Sequence, residues 1–379
     1  MNFHSSLRRE IGSAGGKPGH GRIVFANQLR GIAASFVVLS HLGGVFVLMG
    51  PTVGWVISAP EVQVGHPFIL HLTSWSWLNF GPLGVAIFFL ISGFVIPLSL
   101  RSQGPQAFLV ARAFRIFPTL WIALLAEWLA VFAQSKFYGR PMAFTPLIYL
   151  CNASLLDTIT NNGYVDLVNW TLAIEVKFYL LMALLRPWVL RGRVLPLIGF
   201  SMLATTVAVA QRHGLIHLPG VLANEPMYIG FMLIGTVFHY RMAGLVSTGR
   251  AVGAGTVLFG LFTLCWHEGP SRDLFPVVTV NYFYGLAIFG AAYAARDRFR
   301  PVRWLDFLAD VSFPLYLIHS VLGYSVMTFA IRVLGFSYMP ALAAAVAVTI
   351  SFAWMLHGIV ERPSLAFGKR IAGRLQRVS

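Results

Sequence analysis

Residues 27–49 read NQLRGIAASFVVLSHLGGVFVLM, an apolar run with one arginine near its start and one histidine past its middle. At 1.5 Å of rise per residue, a helix of this length is about 34 Å long and crosses a hydrocarbon core of about 30 Å. Arg30 sits near one end, and His41 lies about 16 Å deeper along the axis. An ionisable side chain at that depth is costly in lipid and is usually kept for a function. The run therefore places the chain in a membrane and carries chemistry into it.

Outward from this run the same pattern repeats. Stretches 82–100, 116–134, 169–190, 194–211, 226–240, 252–268, 274–295, 308–331 and 341–360 are apolar over spanning or nearly spanning lengths, giving about ten spans. The composition agrees: of 379 residues 57% are hydrophobic and 11% charged, and the mean hydropathy is +0.72. A soluble chain carries about 25% charged residues, so the expected fold is an all-α polytopic transmembrane bundle. Phe144 to Leu156 contains Pro146 and is too short to span, so it is expected to lie at the outer interface or re-enter.

Charge orients the bundle. Of the 28 Lys and Arg residues, 22 fall in the termini or in connections on their side of the membrane, and 6 fall on the other side. Basic connections stay in the cytoplasm, so both termini are expected there. The expected division is a basic cytoplasmic tail over 1–26, a ten-span domain over 27–367 and a second basic tail over 368–379. The net charge of +15 is spread between apolar runs, which fits membrane lipid as a partner and not nucleic acid. The outer connections carry Trp55, Trp75, Trp77, Phe137 and Tyr138, side chains suited to an interfacial belt. Cys151 and Cys265 make no metal-ligand spacing, and no metal is expected.

Three more features stand out inside the spans. Glu175, in Asn169-Trp170-Thr171-Leu172-Ala173-Ile174-Glu175-Val176-Lys177, lies about six residues from the outer end of its span. His41 lies about eight from the outer end of its own, so the two depths match within a few Å. A base and its orienting carboxylate are expected, since imidazole titrates near neutral pH. A Glu175–Lys177 ion pair is not, because residues two apart on a helix point different ways. His319, in Phe313-Pro314-Leu315-Tyr316-Leu317-Ile318-His319-Ser320, sits near the middle of its span and either lines the same cavity or packs. Arg112 and Arg115 share a helix face at the inner boundary and, with Arg30, form a candidate phosphate clamp. Ser92 is read as a hydroxyl bonded back to its own helix, and Gly81 to Gly93 as packing glycines.

No G-x-S-x-G, H-E-x-x-H or P-loop sequence occurs. Three function classes remain: a membrane enzyme with a histidine base, a proton-coupled transporter using His41, Glu175 and His319 as a relay, or a non-catalytic membrane scaffold whose buried histidines lock helices together. Transporters of that kind carry inverted internal symmetry and paired broken helices, and the sequence displays neither.

Taken in order, these motifs resemble those of membrane acyltransferase family 3, bacterial enzymes that modify surface polysaccharides, Nod factors, antibiotics and related glycans. Arg30, ten residues and His41 are similar to its arginine–histidine hallmark. Leu83 to Phe94 resembles its second-span signature, and Arg112…Arg115-Ile116-Phe117-Pro118 its basic motif. Trp170-Thr171-Leu172…Glu175 resembles its tryptophan-to-glutamate motif; Tyr316…His319 and Glu361-Arg362-Pro363 resemble its last two spans. The resemblance runs from about Asn27 to Lys369. It implies an O-acyltransferase of the cell inner membrane with no permanently bound cofactor. The implied reaction moves acetyl or another short acyl group from acetyl-CoA or another acyl-CoA to a hydroxyl of a carbohydrate or lipid-linked glycan. His41 and Glu175 are the implied catalytic residues, with Arg30, Arg112, Arg115, Trp170, Tyr316 and His319 binding substrate. Some members add a C-terminal extracytoplasmic hydrolase-like domain; without one, direct transfer by the membrane domain or a separate partner is expected.

Overall fold

The computed structural model describes residues 23–65, 67–75, 77–155, 164–218 and 220–378; the expected basic tail over 1–26 lies almost wholly outside them. Among the described residues the strands are one antiparallel pair, β1 (Ser74–Trp75) and β2 (Leu78–Asn79). Everything else that is regular is helical. Helix α1 (Val24–Ser40) runs on through a π-helical turn, His41–Val45, as far as Leu48. Short α2 (Gly50–Val56) and α3 (Phe68–Thr73) lead to α4 (Phe80–Ser102) and α5 (Pro105–Tyr138). Then come α6 (Pro146–Ser154), α7 (Asn169–Leu184), α8 (Arg186–Leu190), α9 (Leu195–Arg212) and α10 (Gly220–Met242). The chain closes with α11 (Thr248–Glu268), α12 (Thr279–Ala294), α13 (Arg303–Ile318), α14 (Val321–Arg332), α15 (Tyr338–Leu356) and α16 (Arg362–Val378).

Each of the ten apolar stretches falls largely on helix, although the start of 274–295 is a turn and α12 begins at Thr279. By length and composition, six helical runs among the described residues can cross a membrane: Val24–Leu48, α4, α5, α9, α11 and the continuous Tyr338–Arg377, with α13–α14 a seventh if counted together. Helices α7 and α12 have 16 residues each, about 24 Å, short of a 30 Å core. The all-α membrane architecture holds, and helix length alone accounts for fewer than ten spans.

Helix α4 is apolar all round and accordingly central, packed against α1, α7, α10 and α12. It meets α10 backbone to backbone. A Cβ at Gly93 would lie 1.8 Å from the Met232 carbonyl oxygen, and one at Gly235 would lie 2.2 Å from that of Leu90. Small residues of this kind let helices touch where lipid removes the hydrophobic drive. Thr236 Oγ1 donates to the Gly93 carbonyl across the crossing at 3.1 Å.

Two segments differ from the sequence reading. The span expected over 308–331 is two helices, α13 and α14, bent by 75° with His319 and Ser320 at the break. The tail expected over 368–379 is helical in its described part, as α16. Its Gly368 and Ala372 are buried, while Lys369, Arg370, Arg374 and Arg377 stay exposed, an amphipathic pattern that earns a packing partner. That partner is α5, where the Phe367 and Phe114 rings meet at 5.3 Å and Ser364 Oγ donates to the Phe114 carbonyl; Gln376 Nε2 also donates to the Ser102 carbonyl at the end of α4 at 2.9 Å. Within the described part of the Phe144 to Leu156 patch, Pro146–Ser154 forms short α6, with Leu147 and Leu150 exposed. Trp55, Trp75 and Trp77 are exposed as well.

Candidate active site

Five helices, α1, α4, α5, α7 and α13, enclose a cavity of about 100 Å³ lined by Arg30, Ser92, Arg112, Arg115, Glu175 and Tyr316 among others. The i,i+3 spacing of Arg112 and Arg115 turns both into it, as the sequence predicted. Arg112 Nη2 donates to Ser99 Oγ at 2.5 Å. Its guanidinium lies over the Phe108 and Tyr179 rings at 5.4 and 5.5 Å, and that of Arg115 over Phe313 at 5.8 Å. Aromatic faces thus replace part of the water these cations leave behind. Three guanidinium groups and one carboxylate line the cavity, and the buried Glu361 carboxylate also acts on Arg115, which leaves an excess of positive charge in an interior where like charges are weakly screened. Such a lining suits an anion.

Glu175 accepts a hydrogen bond from Ser92 Oγ at 3.2 Å and another from the Tyr179 hydroxyl. Tyr179 is four residues on from Glu175, hence on the same helix face, and interacts with both Arg112 and Arg115. Glu175 therefore organises the arginine cluster. Lys177 pairs with Glu225, so no Glu175–Lys177 pair forms, as the helix geometry required. Ser92 departs from expectation: its hydroxyl reaches across to Glu175 because a carboxylate is a stronger acceptor than a carbonyl of its own helix.

The expected His41–Glu175 contact is not the one that forms. His319 Nε2 and His41 Nδ1 lie 2.9 Å apart, with the rings stacked at 4.9 Å. The other nitrogen of His319, Nδ1, is 2.9 Å from the Tyr316 carbonyl and 3.1 Å from that of Leu315. Carbonyls only accept, so Nδ1 carries the proton and Nε2 is the acceptor. His41 Nδ1 must then donate, which leaves the Nε2 lone pair of His41 free as a base. Local backbone irregularity builds this pair. His319 sits at the 75° break, where the Tyr316 carbonyl turns to the ring. His41 opens the π-helical turn, a feature often found at functional sites.

Tyr316 joins the two halves. It lines the arginine cavity while its carbonyl holds His319. Its hydroxyl is 2.8 Å from Thr171 Oγ1, which itself donates to the Val168 carbonyl at 2.8 Å; the tyrosine is the donor. Trp170 stands apart from the cavity, against Tyr228 at 5.2 Å and Phe89 at 6.4 Å. Of the residues singled out from the sequence, Arg30, Arg112, Arg115, Glu175 and Tyr316 share one cavity, and His41 and His319 pair beside it. Tyr179, Thr171 and Ser99 escaped that reading. The Glu175-x-x-x-Tyr179 spacing was the one signal for Tyr179; the other two needed tertiary contacts.

A family model for an acyltransferase domain matches residues 23–358. Nodulation protein 10 of Rhizobium leguminosarum bv. viciae is 31% identical over 160 residues, covering 34% of this chain and 42% of that protein. The match thus spans less than half the length of that relative. No solved structure matches the chain. With the family's domain extending over most of its length, the chain belongs to the acyltransferase 3 family of membrane proteins.

Proposed function

We propose that this chain is an O-acyltransferase of the inner membrane that moves an acetyl or other short acyl group from a coenzyme A thioester to a hydroxyl of a carbohydrate or glycoconjugate. The observation that carries the reading is the convergence of Arg30, Arg112 and Arg115 on one cavity with a single carboxylate. Guanidinium groups bind phosphate bidentately, and coenzyme A offers phosphates at one end and the thioester at the other. The carbohydrate acceptor rests on the family membership. The positive-inside distribution puts the Arg30 end in the cytoplasm, with both termini there and α7, α10 and α12 counted as spans, ten in all. From Arg30 to His41 the helix rises about 16 Å, on the order of an extended pantetheine arm.

In this scheme the acceptor hydroxyl gives its proton to His41 Nε2 as its oxygen bonds to the thioester carbonyl carbon. His319 Nε2 accepts the His41 Nδ1–H throughout, which holds the ring and steadies the imidazolium. The tetrahedral oxyanion collapses, the carbon–sulfur bond breaks, and the departing sulfur takes the proton back from His41 Nε2. Ester and free thiol leave with both histidines in their starting tautomers. Glu175 acts through Tyr179 on the arginines, and Tyr316 stands where the acyl arm passes from the cavity to the histidine pair.

The test is thermal stabilisation of the purified protein by acetyl-CoA, beside CoA and acetate, repeated on Arg112→Ala with Arg115→Ala. Ligand that binds the folded state alone raises the unfolding temperature with concentration. Stabilisation that disappears in the double variant is the expected result. No shift with any acyl-CoA, in protein that is folded, overturns the donor assignment and puts proton-coupled transport first.

A further inference from the structure

Away from the arginine cavity, α10, α11 and α12 border an open groove of about 420 Å³ with apolar walls that include Val237, Phe238, Phe259 and Phe283. The groove exists because α11 is built from small residues on this side: a Cβ added at Gly255 would meet nothing within 4 Å. Cations close one end. Arg241 lines it beside Tyr293, with its Nε fixed by Thr248 Oγ1 at 2.8 Å. Arg296 lies over the Tyr293 ring at 4.9 Å and donates from Nη1 to the Tyr293 carbonyl at 3.2 Å. Its carboxylate neighbour, Asp297, is 3.9 Å away and 72% exposed, too solvated to cancel the charge. Along α12, Phe283 to Tyr293 is ten residues, about 15 Å, or half of a 30 Å hydrocarbon core. The groove is one leaflet deep.

We propose that it binds one anionic phospholipid, with an acyl chain along α11 and the phosphate between Arg241, Arg296 and the Tyr293 hydroxyl. Charge complementarity selects this occupant. A neutral lipid fills the apolar walls equally well but brings no net charge to two guanidinium groups at headgroup level. A second copy offering the same surface sets those arginines against their own kind, since a two-fold interface pairs a patch with itself. Basic pockets between membrane helices hold acidic headgroups for the same electrostatic reason.

Full-length protein in a neutral detergent is titrated with dioleoylphosphatidylglycerol and, separately, dioleoylphosphatidylcholine, with bound lipid counted by native mass spectrometry. The anionic lipid is expected to bind about 25-fold more tightly, the weight of two arginines at a membrane surface. Arg241→Gln with Arg296→Gln removes that preference. Gly255→Leu fills the groove in open space and removes the tight site, while the acetyl-CoA stabilisation and the unfolding temperature without lipid stay as they were. Equal affinity for the two lipids, or a preference that survives the arginine substitutions, overturns the proposal. Two further outcomes also overturn it. A dimer that Gly255→Leu disperses gives the groove to a second copy, and competition by acetyl-CoA gives it to the acyl donor.

Discussion

His41 and His319, 278 positions apart in the chain, are joined by a 2.9 Å hydrogen bond from Nδ1 of the first to Nε2 of the second. The direction of that bond follows from the far side of His319, where backbone carbonyls leave Nδ1 no role but donor. In the proposed mechanism a neutral histidine does for His41 what a carboxylate does in a Ser-His-Asp triad, with less charge to offer the imidazolium.

His319→Ala is expected to lower kcat by about 10²- to 10⁴-fold, the range of a properly presented base. KM for acyl-CoA should stay the same, because His319 does not line the arginine cavity. His319→Gln offers His41 an amide oxygen as acceptor and should recover part of the rate. Steady-state kinetics on all three proteins decide it; an alanine variant with full kcat removes His319 from the mechanism.

Replacing Arg112 and Arg115 together by Gln should weaken acetyl-CoA binding by about 100-fold, taking charged hydrogen bonds at roughly 1.5 kcal/mol each. S-acetylpantetheine carries the same thioester without the nucleotide phosphates, so its weaker binding should barely change. Calorimetry with both thioesters separates the two cases. Equal losses for both would mean that the substitutions deform the cavity and say nothing about phosphate.

The α4–α10 crossing predicts a contrast between glycines. Gly93→Ala or Gly235→Ala drives a methyl into a carbonyl of the facing backbone, which cannot rotate aside as a side chain can. Each should destabilise by about 3 kcal/mol or more, at the top of the overpacking range. Gly255→Ala, in open space, should stay within about 0.5 kcal/mol of the parent. Unfolding temperatures in one detergent give the comparison directly.

Lys177 and Glu225 form a pair in which the acid side chain is 5% accessible and the lysine 29%. Lys177→Met alone leaves a buried carboxylate without its cation and should cost about 2–4 kcal/mol, less than a fully buried pair because the lysine is partly solvated. Adding Glu225→Leu should return most of that loss. A double-mutant cycle with no coupling between the positions would show that the pair holds nothing together.

Much of the fold is visible in the residue order, because in lipid every backbone polar group must bond within its own segment, and long apolar runs then have little choice but helix. The run from Asn27 to Met49 and its nine successors fall largely on helix for that reason. Arg112 and Arg115 were placed on one face by spacing, and the separation of Lys177 from Glu175 followed from the same geometry. Where the reading went astray, it lacked rotation and irregularity. Counting residues at 1.5 Å each put His41 and Glu175 at one depth, but depth says nothing about which way a side chain points around the axis. The break at His319 and Ser320 carries no glycine or proline at the bend itself, with Pro314 five residues earlier, so nothing local announced it.

The sequence by itself determined that this chain is a helical membrane protein with histidines, a carboxylate and an arginine pair within or at the ends of its apolar runs, since hydropathy and helical period are properties of neighbouring residues. Only the tertiary structure decided that His41 takes His319 as its partner while Glu175 turns to Ser92 and Tyr179. Those choices depend on how α1, α4, α7 and α13 are rotated against one another, and that rotation is set by close packing at positions such as Gly93 and Gly235, where two distant segments meet.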